Sequence, residues 1–355
     1  MAPRLKVALL FGGRSGEHEV SLRSAASVAE ALATRHDVLP VLIDKKGGWL
    51  LQQGQTPQPS GGSAVFLVPE PDDRGRLRRR ADAAAAAEPD VYFPVLHGPY
   101  GEDGTIQGLL ELAAVPYVGA GVAASGAGMD KQMMKALFAA GDVPQGAYRV
   151  LRGRGAAQEE AALAELGLPL FVKPANLGSS VAVAKVKRRD DLEPALAAAF
   201  AYDRKVILEA AIDARELEVS VMGNDAPEAS LPGEIVPDRE FYDYDSKYSA
   251  ESRTELLIPA PTDAATTAEL RRLAVRAFAA IDACGYARVD FFLERRSGRI
   301  LVNEINTIPG FTSISMFPKL WGVSGVAYEE LVSRLVALGL ERHAQRKRLR
   351  TDYRS

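Results

Sequence analysis

Four polar residues near the carboxyl end of the chain have the types and the spacing of a metal site. Arg288 and Asp290 lie in one alternating stretch, and Glu304 and Asn306 lie in the next. Because strand side chains alternate between faces, each pair projects from one surface. Two carboxylates and an amide oxygen are hard ligands that suit Mg²⁺, which completes its shell with water and phosphate oxygens. The alternative is a solvated hairpin with a surface ion pair, which the apolar neighbours of each polar residue disfavour.

A β-hairpin is predicted to position these four residues. Arg288–Leu293 and Arg299–Glu304 alternate and are rich in aromatic and branched side chains, and Ser297-Gly298 lies between them as a turn. The alanine-rich stretch Ala265–Ala283 predicts a helix that leads into the hairpin, and Pro309-Gly310 predicts a turn after it.

A second candidate site is the stretch KPANLGSS, which begins at Lys173. Its Gly-Ser-Ser end offers N–H and hydroxyl groups that can surround a phosphate, and Lys173 supplies positive charge. No G-x-x-x-x-G-K-[ST] motif occurs, so this is not a Walker P-loop. A plain turn is the alternative. Lys131, in a helix after a glycine-rich loop, is a second candidate cation unless it is an exposed helix lysine.

Two further polar loops follow strands in the N-terminal part. GGRSGEHEVS opens a helix and can hold a small anion or zwitterion, but it is not the dinucleotide motif G-x-G-x-x-G. Glu17 and Glu19 have an alternative role as helix N-terminal acids, worth about 0.3–1 kcal/mol. HGPYGEDGT, from His97, places an imidazole and two acids among glycines, as functional loops do. Asp103 has the simpler alternative of capping the next helix.

A fifth polar stretch, FYDYDSKYS, covers Phe241–Ser249. It is too polar for a core strand and too aromatic for a disordered linker. This composition predicts a lid that folds over a ligand with hydroxyls and a lysine aimed inward. The alternative is an Ω-loop packed on its own aromatic side chains.

The N-terminal part predicts an α/β unit with a parallel sheet. Val7–Phe11 and Val38–Ile43 have strand character and flank the helical stretch Ser21–Ala33, which together make a βαβ unit. Asp90–Leu96 is a further buried strand. Lys45–Glu88, rich in glycine, proline and arginine, is interpreted as a surface hairpin or loop insertion with its arginines on a solvated face.

An α+β unit with antiparallel strands is predicted from Val150 onwards. A helix at Met129–Ala140, closed by Gly141, precedes it. The predicted elements of the unit are helices at Ala156–Leu166 and Asp191–Ala201 and strands at Leu170–Lys173, Val181–Val186 and Val206–Glu209. Further strands are predicted from Glu218–Met222 to Ile258.

The composition limits the kinds of protein to which this chain can belong. A chain of 355 residues with 47% hydrophobic and 25% charged residues is long enough for two or three globular domains. A net charge of −3 and a pI of about 6.0 give no support to a nucleic-acid partner. Cys284 is the single cysteine, which excludes an intrachain disulfide and a cysteine zinc cluster. With no signal peptide and no run of about 18 apolar residues, we expect a cytoplasmic enzyme without a membrane partner.

In this order along the chain, these stretches resemble the D-alanine–D-alanine ligases of the ATP-grasp superfamily. The match runs through GGRSGEHEVS, HGPYGEDGTIQG, KPANLGSS, FYDYDSKY, ARVDFF and NEINTIPGFTSIS. The resemblance implies an ATP-grasp architecture of three domains, with ATP between the second and the third. These are an N-terminal substrate domain at 1–124, a central subdomain at 125–212, and a C-terminal subdomain at 213–355 with a lid at 238–252.

The resemblance also implies a role for each candidate residue on the nucleotide side. The metal ligands, for two Mg²⁺ or Mn²⁺ ions, are Asp290, Glu304 and Asn306. The residues that contact ATP are Lys131, Lys173 and Lys247 at the phosphates and Glu209 and Glu216 at the adenine and ribose.

On the substrate side, the resemblance implies that Glu17 receives the ammonium group of a first D-alanine. Ser179 and Tyr248 are its hydrogen-bonded partners, and Arg288 stabilises the charge of the transferred phosphoryl group and the tetrahedral intermediate. The residues implied to bind substrate elsewhere are His97 and, at the carboxylate of a second D-alanine, Gly310, Ser315 and Met316. The sequence departs from the family at Ala182, where glycine is usual.

The implied activity is ATP-dependent ligation of two D-alanines through an acyl phosphate, which releases ADP and phosphate and supplies peptidoglycan synthesis. A homodimer is implied as well. Three alternatives stay open: a ligase that accepts D-lactate, which Tyr248 disfavours, a carboxylate phosphotransferase, and a nucleotide-binding protein without catalysis.

Overall fold

The computed structural model describes residues 4–178, 182–237, 254–312 and 314–350. Within these ranges the chain forms three β-sheets with helices packed on them. No helix in the described ranges is long and apolar enough to cross a membrane. The predictions for Ser179, Lys247, Tyr248 and the whole lid at 238–252 concern residues outside the described part of the chain.

The N-terminal sheet has a parallel centre built on the predicted βαβ unit. β1 (Lys6–Gly12) pairs in parallel with β2 (Asp37–Ile43) on one side and with β7 (Val91–Val95) on the other. α1 (His18–Ala33) connects β1 to β2 and packs on the sheet. Val7 to Phe11 are fully buried, as expected of a central parallel strand covered on both faces.

The insertion at 45–88 forms antiparallel hairpins, as one of the two interpretations expected, but these hairpins extend the sheet and are not a surface loop. Four antiparallel strands extend the sheet beyond β2, namely β3 (Trp49–Leu51), β4 (Ser63–Leu67), β5 (Leu77–Arg79) and β6 (Ala85–Ala87). Val65, Leu67 and Leu77 are buried in its core. Three of these strands have only three residues, so the sequence contains no alternating run long enough to reveal them.

A second sheet is antiparallel throughout, as predicted, with the order β10-β9-β11-β8. Its strands are β8 (Tyr148–Leu151), β9 (Leu170–Pro174), β10 (Ala184–Val186) and β11 (Val206–Ala210). α5 (Ala156–Leu166) and α6 (Leu192–Phe200) pack on it and close its core.

Helices α2 (Thr105–Leu112), α3 (Val122–Met129) and α4 (Lys131–Ala140) connect the first two sheets. The predicted helix Met129–Ala140 is therefore interrupted at Asp130. The extended backbone of Asp130 ends α3, and its carboxylate accepts hydrogen bonds from the N–H groups of Gln132 and Met133. This N-cap makes Lys131 the first residue of α4.

The third sheet carries the predicted hairpin, β16 (Gly285–Glu294) and β17 (Ile300–Asn306). Its order is β15-β14-β12-β16-β17, with β13 (Glu228–Ala229) paired to β12. The remaining strands are β12 (Ala214–Gly223), β14 (Gly233–Val236) and β15 (Glu255–Leu257). α7 (Ala264–Ala280) packs on one face of this sheet.

Two C-terminal helices join the third sheet to the first. α8 (Met316–Val323) packs on β12, and α9 (Tyr328–Arg346) packs against α1 and the N-terminal sheet. Phe311 lies between these parts, with its ring 6.1 Å from that of Phe93 on β7 and 5.5 Å from that of Tyr286 on β16. A single core therefore holds the end of β7 beside the segment that follows the hairpin.

Candidate active site

One face of the third sheet is polar and the other is apolar. Leu217, Val219 and Val289 point to the apolar face and pack under α7. The acid Glu218 on β12 stands opposite Asp290 on β16. The polar residues that the alternation places on the other face are Glu216, Glu218, Arg288, Asp290, Glu304 and Asn306.

The hairpin brings its four predicted residues together as expected. Asp290 pairs in register with Glu304, and Arg288 pairs with Asn306. Arg288 donates from Nε and Nη2 to the two carboxylate oxygens of Asp290, each at 2.7 Å. Asn306 donates from Nδ2 to Oδ2 of Asp290 at 3.1 Å. The shared surface is therefore confirmed, whereas the chemical role of each residue stays a prediction.

The donor set on this face fits a hard divalent cation. The side chains of Asp290 and Glu304 are 15% and 29% exposed, so they are held by the sheet yet reachable by a ligand. Within the described ranges, no group of three or more His, Cys, Asp or Glu side chains is placed to hold a metal ion by itself. The remaining ligands of an ion bound here would be water and substrate oxygens, as is usual for Mg²⁺.

Burial by itself would lower the pKa of Arg288, but the carboxylates of Asp290 and Glu218 raise that pKa well above its usual value. Nε of Arg288 lies 3.0 Å from Oε2 of Glu218. Arg288 is therefore a fixed cation between two acids at every pH at which the protein is folded.

A cluster of lysines around Glu209 lies at the ends of β9 and β11. Lys173 donates to Oε2 of Glu209 at 2.5 Å, and Lys135 lies 3.1 Å from Oε1. Burial would raise the pKa of Glu209, but the charges of Lys135 and Lys173 lower it to about 2. Burial likewise disfavours the charged form of Lys173, but Glu209 more than offsets this and raises the lysine pKa. Glu209 therefore holds two cations in place.

Lys131 bridges the KPANLGSS loop and the hairpin. Its Nζ donates to the carbonyl oxygen of Leu177 at 2.7 Å and lies 3.9 Å from Oε2 of Glu304. Its backbone N–H donates to the carbonyl oxygen of Ala175 at 2.9 Å. Burial lowers the pKa of Lys131. The prediction of a second cation near this loop agrees with the position of Lys131, and the exposed-lysine alternative is wrong.

Glu17 lies where the three glycine loops meet. It precedes α1, and its side chain makes no capping hydrogen bond there. A Cβ atom placed on Gly98 would lie 2.7 Å from Oε2 of Glu17, and one on Gly178 would lie 3.2 Å from the same oxygen. Both loops therefore approach this carboxylate closely because they carry glycine. This position favours the substrate interpretation of Glu17 over that of a capping acid.

His97, at the end of β7, is buried and linked to three other segments. Its Nε2 lies 3.1 Å from Oγ of Ser24 on α1, and its Nδ1 lies 3.1 Å from the carbonyl oxygen of Ile308. Nδ1 is also 3.6 Å from Oε1 of Glu102. Burial raises the pKa of Glu102 to about 7, although His97 opposes this. Burial opposes protonation of His97, but Glu102 raises the imidazole pKa.

The segment after the hairpin brings Gly310 against Ser315. A Cβ atom on Gly310 would lie 2.8 Å from Oγ of Ser315, and that oxygen accepts a hydrogen bond from the N–H of Thr312 at 3.0 Å. Ser315 precedes α8 and Met316 begins it. The side chain of Met316 is buried against Gly233, so only its backbone is suited to contact a substrate.

Comparison with known proteins identifies the family. The family described as "D-ala D-ala ligase N-terminus" matches residues 6–120, and "D-ala D-ala ligase C-terminus" matches residues 137–337. The chain belongs to the D-alanine–D-alanine ligase family. Its resemblance to that family and its ATP-grasp fold are thereby confirmed.

Relatives within the ligase family match over the whole chain. The D-alanine–D-alanine ligase of Heliobacterium modesticaldum is 52% identical over 98% of this chain and 97% of its own. D-alanine–D-alanine ligase A of Bradyrhizobium diazoefficiens is 48% identical over 100% of both chains.

Two solved structures of ligases share the fold with a TM-score of 0.83 each. The D-alanine–D-alanine ligase from Coxiella burnetii is 35% identical and aligns over 97% of this chain and 98% of its own. VanG D-Ala:D-Ser ligase from Enterococcus faecalis is 32% identical and aligns over 95% of this chain and 100% of its own.

The sequence interpretation of this ligase assigned no role to three charged residues of the site. Glu218 could have been found, because it continues the alternation of Glu216 on either side of apolar Leu217. Glu102 was noted only as one acid of a polar loop. Lys135 stands in a helix with no motif around it, and only the fold brings it to Glu209.

Proposed function

We propose that this protein joins two D-alanine molecules into D-alanyl-D-alanine and converts ATP into ADP and phosphate. The observation that carries the proposal is the convergence of separate polar segments on one region of the molecule. Those segments are the hairpin with Arg288 and Asp290, the lysines Lys131 and Lys173, and the glycine loops around Glu17.

For the nucleotide, the proposal assigns the phosphates to Lys131 and Lys173 and the divalent cation to Asp290, Glu304 and Asn306. A bound Mg²⁺ or Mn²⁺ would neutralise phosphate charge during transfer. The lysines are held in place before ATP arrives, because Leu177 fixes Lys131 and Glu209 fixes Lys173. Fixed charges of this kind stabilise a transition state without the cost of reorganisation. Lys247, Glu216 and Glu209 stay predicted ATP contacts.

For the first half-reaction, the proposal assigns the ammonium group of the first D-alanine to Glu17, with Ser179 and Tyr248 as partners and His97 nearby. The free carboxylate of this D-alanine then attacks the γ-phosphorus of ATP and forms an acyl phosphate, with ADP as the leaving group. This step is needed because a carboxylate is a poor electrophile.

For the second half-reaction, the proposal assigns the carboxylate of the second D-alanine to Gly310, Ser315 and the backbone of Met316 at the start of α8. The N–H groups at the start of a helix favour an anion. The amine of this D-alanine attacks the acyl carbon, Arg288 stabilises the oxyanion, and phosphate leaves. The fixed positive charge of Arg288 between two acids suits this task.

One assay tests the activity and its rivals. Purified protein is incubated with ATP, Mg²⁺ and D-alanine, and ADP, phosphate and dipeptide are quantified. Equal amounts of all three support the proposal. ADP without dipeptide would indicate a carboxylate phosphotransferase, and no turnover would indicate a nucleotide-binding protein. Parallel reactions with D-serine or D-lactate as the second substrate test the acceptor, since VanG is named a D-Ala:D-Ser ligase.

A matched pair of arginine variants links the activity to the site. Arg288→Met should abolish dipeptide formation because it removes the proposed oxyanion partner. Arg299→Met is the control, since Arg299 lies on the same hairpin with a side chain that is 66% exposed and paired with Glu294. A cytoplasmic location and peptidoglycan synthesis follow from the proposed ATP-dependent activity. The homodimer stays a prediction that light scattering can test.

A further inference from the structure

Glu218 is a buried acid beside the site to which the ligation mechanism gives no task. It lies on the polar face of β12, directly opposite Asp290 on β16, and it is 5% exposed. Its Oε2 atom is 3.0 Å from Nε of Arg288. A carboxylate this deeply buried is costly unless a cation compensates it, and Arg288 is placed to do so.

Asp290 has two tasks that compete for the same oxygens. Both carboxylate oxygens accept hydrogen bonds from Arg288, and the proposed function also assigns Asp290 to the divalent cation. A carboxylate held by two guanidinium hydrogen bonds has fewer lone pairs left for a metal. Arg288 must then have a second acid that keeps it in the site when Asp290 turns toward the ion.

We propose that Glu218 is this second acid, a positioning residue that holds Arg288 while Asp290 binds the divalent cation. The inference rests on the proposed function, in particular on Asp290 as a metal ligand. Glu304 does not serve the purpose, because it is itself a proposed ligand and lies on the side of the hairpin that faces Lys131. Glu218 stands on the opposite side, on β12, where its Oε2 lies 3.0 Å from the same Nε of Arg288 that donates to Oδ1 of Asp290.

The test is Glu218→Gln, which keeps the shape of the side chain and removes its charge. The first measurement needs no turnover: thermal stabilisation by ADP is recorded as a function of Mg²⁺ concentration. Arg288 should pair more strongly with Asp290 in this variant, so the Mg²⁺ concentration for half of the stabilisation should rise by about tenfold, as for other residues that orient metal ligands. In the ligation assay, kcat at saturating Mg²⁺ should also fall while KM for ATP changes little.

Glu234→Gln is the matched control. Glu234 is also buried, on the neighbouring strand β14, and it pairs with Arg215 at 2.6 Å. It stands opposite Leu217, which places it on the apolar side of the sheet, away from Arg288. This variant loses a buried ion pair of the same kind, so its stability should fall, but its Mg²⁺ requirement should equal that of the wild-type protein.

Two further variants make the test decisive. Glu218→Asp keeps the charge and should recover most of the wild-type Mg²⁺ requirement. In an Arg288→Met background, Glu218→Gln should shift the Mg²⁺ requirement much less, because no guanidinium is left to compete for Asp290. An equal shift in that background would assign the effect to charge alone and overturn the inference, as would an unchanged requirement in Glu218→Gln. Failure of the proposed function is distinguishable, since the wild-type protein would then form no dipeptide.

Discussion

Several charged side chains of this site are buried, and neighbouring groups of opposite charge offset the cost of burying them. Glu209 is held ionised by two lysines and Arg288 by two acids. Glu102 differs, because burial dominates there and raises its pKa to about 7. The structure thus contains an acid that titrates near neutrality beside His97, in the loop predicted to contact substrate. Its protonation should be visible in the stability of the protein.

Glu102→Gln should make stability less dependent on pH. The folded protein binds a proton at Glu102 up to about pH 7, whereas the unfolded chain loses that proton near the ordinary value of 4.5. The carboxyl group therefore favours folding below about pH 4.5, and this contribution is lost as the pH rises to about 7. Between these limits the wild-type protein should lose about 3 kcal/mol more stability than the variant, measured by urea denaturation. If the free energy of unfolding changed with pH equally in the two proteins, this prediction would be wrong.

Ala182→Gly should stabilise the protein. Ala182 has a φ of 55°, in the left-handed region that favours glycine. A residue with a Cβ atom costs about 1 kcal/mol there, which glycine avoids. The melting temperature should therefore rise in this variant. Ala184→Gly on β10 is the control and should lower it, because glycine weakens a regular strand. Destabilisation by both substitutions would show that Ala182 is not strained.

At the level of secondary structure, the sequence predicts an element when one pattern runs long enough. The strands of the hairpin alternate over several residues around a Ser-Gly turn, and the structure confirms them. The three-residue strands of the insertion carry no such pattern and were missed. The break at Asp130 was missed for another reason. Its capping role depends on a side-chain geometry that helical periodicity does not record.

Lys205→Met should destabilise the protein and weaken ATP binding. Nζ of Lys205 forms a buried ion pair with Asp130, the N-cap of α4, and the carbonyl oxygen of Lys205 accepts a hydrogen bond from the N–H of Ala175. Removing the cation leaves Asp130 buried and unpaired, which costs about 3–5 kcal/mol in urea denaturation. Because Asp130 begins the helix that presents Lys131, KM for ATP should rise as well.

The control for Lys205 is Arg149→Met, which breaks an exposed pair between Arg149 on β8 and Glu165 on α5. Exposed pairs contribute at most about 1 kcal/mol, so this variant should keep its stability and its KM for ATP. A Lys205→Met protein with wild-type KM for ATP would show that the buried pair is purely structural.

At the level of the whole molecule, the site exists because distant segments share one core. Glu17 and His97 lie in loops that follow strands of the N-terminal sheet, and Arg288 lies on the third sheet. No local sequence pattern predicts that these elements lie close together. Only the ordered resemblance to a known family indicated that they would. The fold brings these elements together through a shared core, in which the ring of Phe311 packs against the rings of Phe93, Tyr286 and Phe317.

Phe311→Leu should therefore affect stability and the second substrate together. The Phe311 ring is fully buried, its N–H donates to Oγ of Ser24 at 3.3 Å, and its carbonyl oxygen accepts from Tyr328 at 3.0 Å. A smaller side chain leaves a cavity and should cost about 1–3 kcal/mol. Because Gly310 precedes Phe311, the segment proposed to hold the second D-alanine should shift, and KM for that substrate should rise more than KM for ATP.

Phe278→Leu is the control that separates lost core packing from a shift of the segment proposed to hold the second D-alanine. Phe278 is equally buried, but it lies on α7, in the core beneath the apolar face of the third sheet. It should lose a similar free energy of unfolding while both KM values stay unchanged. Unfolding is followed in urea, and steady-state kinetics are measured with ATP and D-alanine varied in turn. If both variants raised KM for D-alanine equally, the effect would follow from lowered stability, and the Phe311 core would have no specific part in placing the substrate.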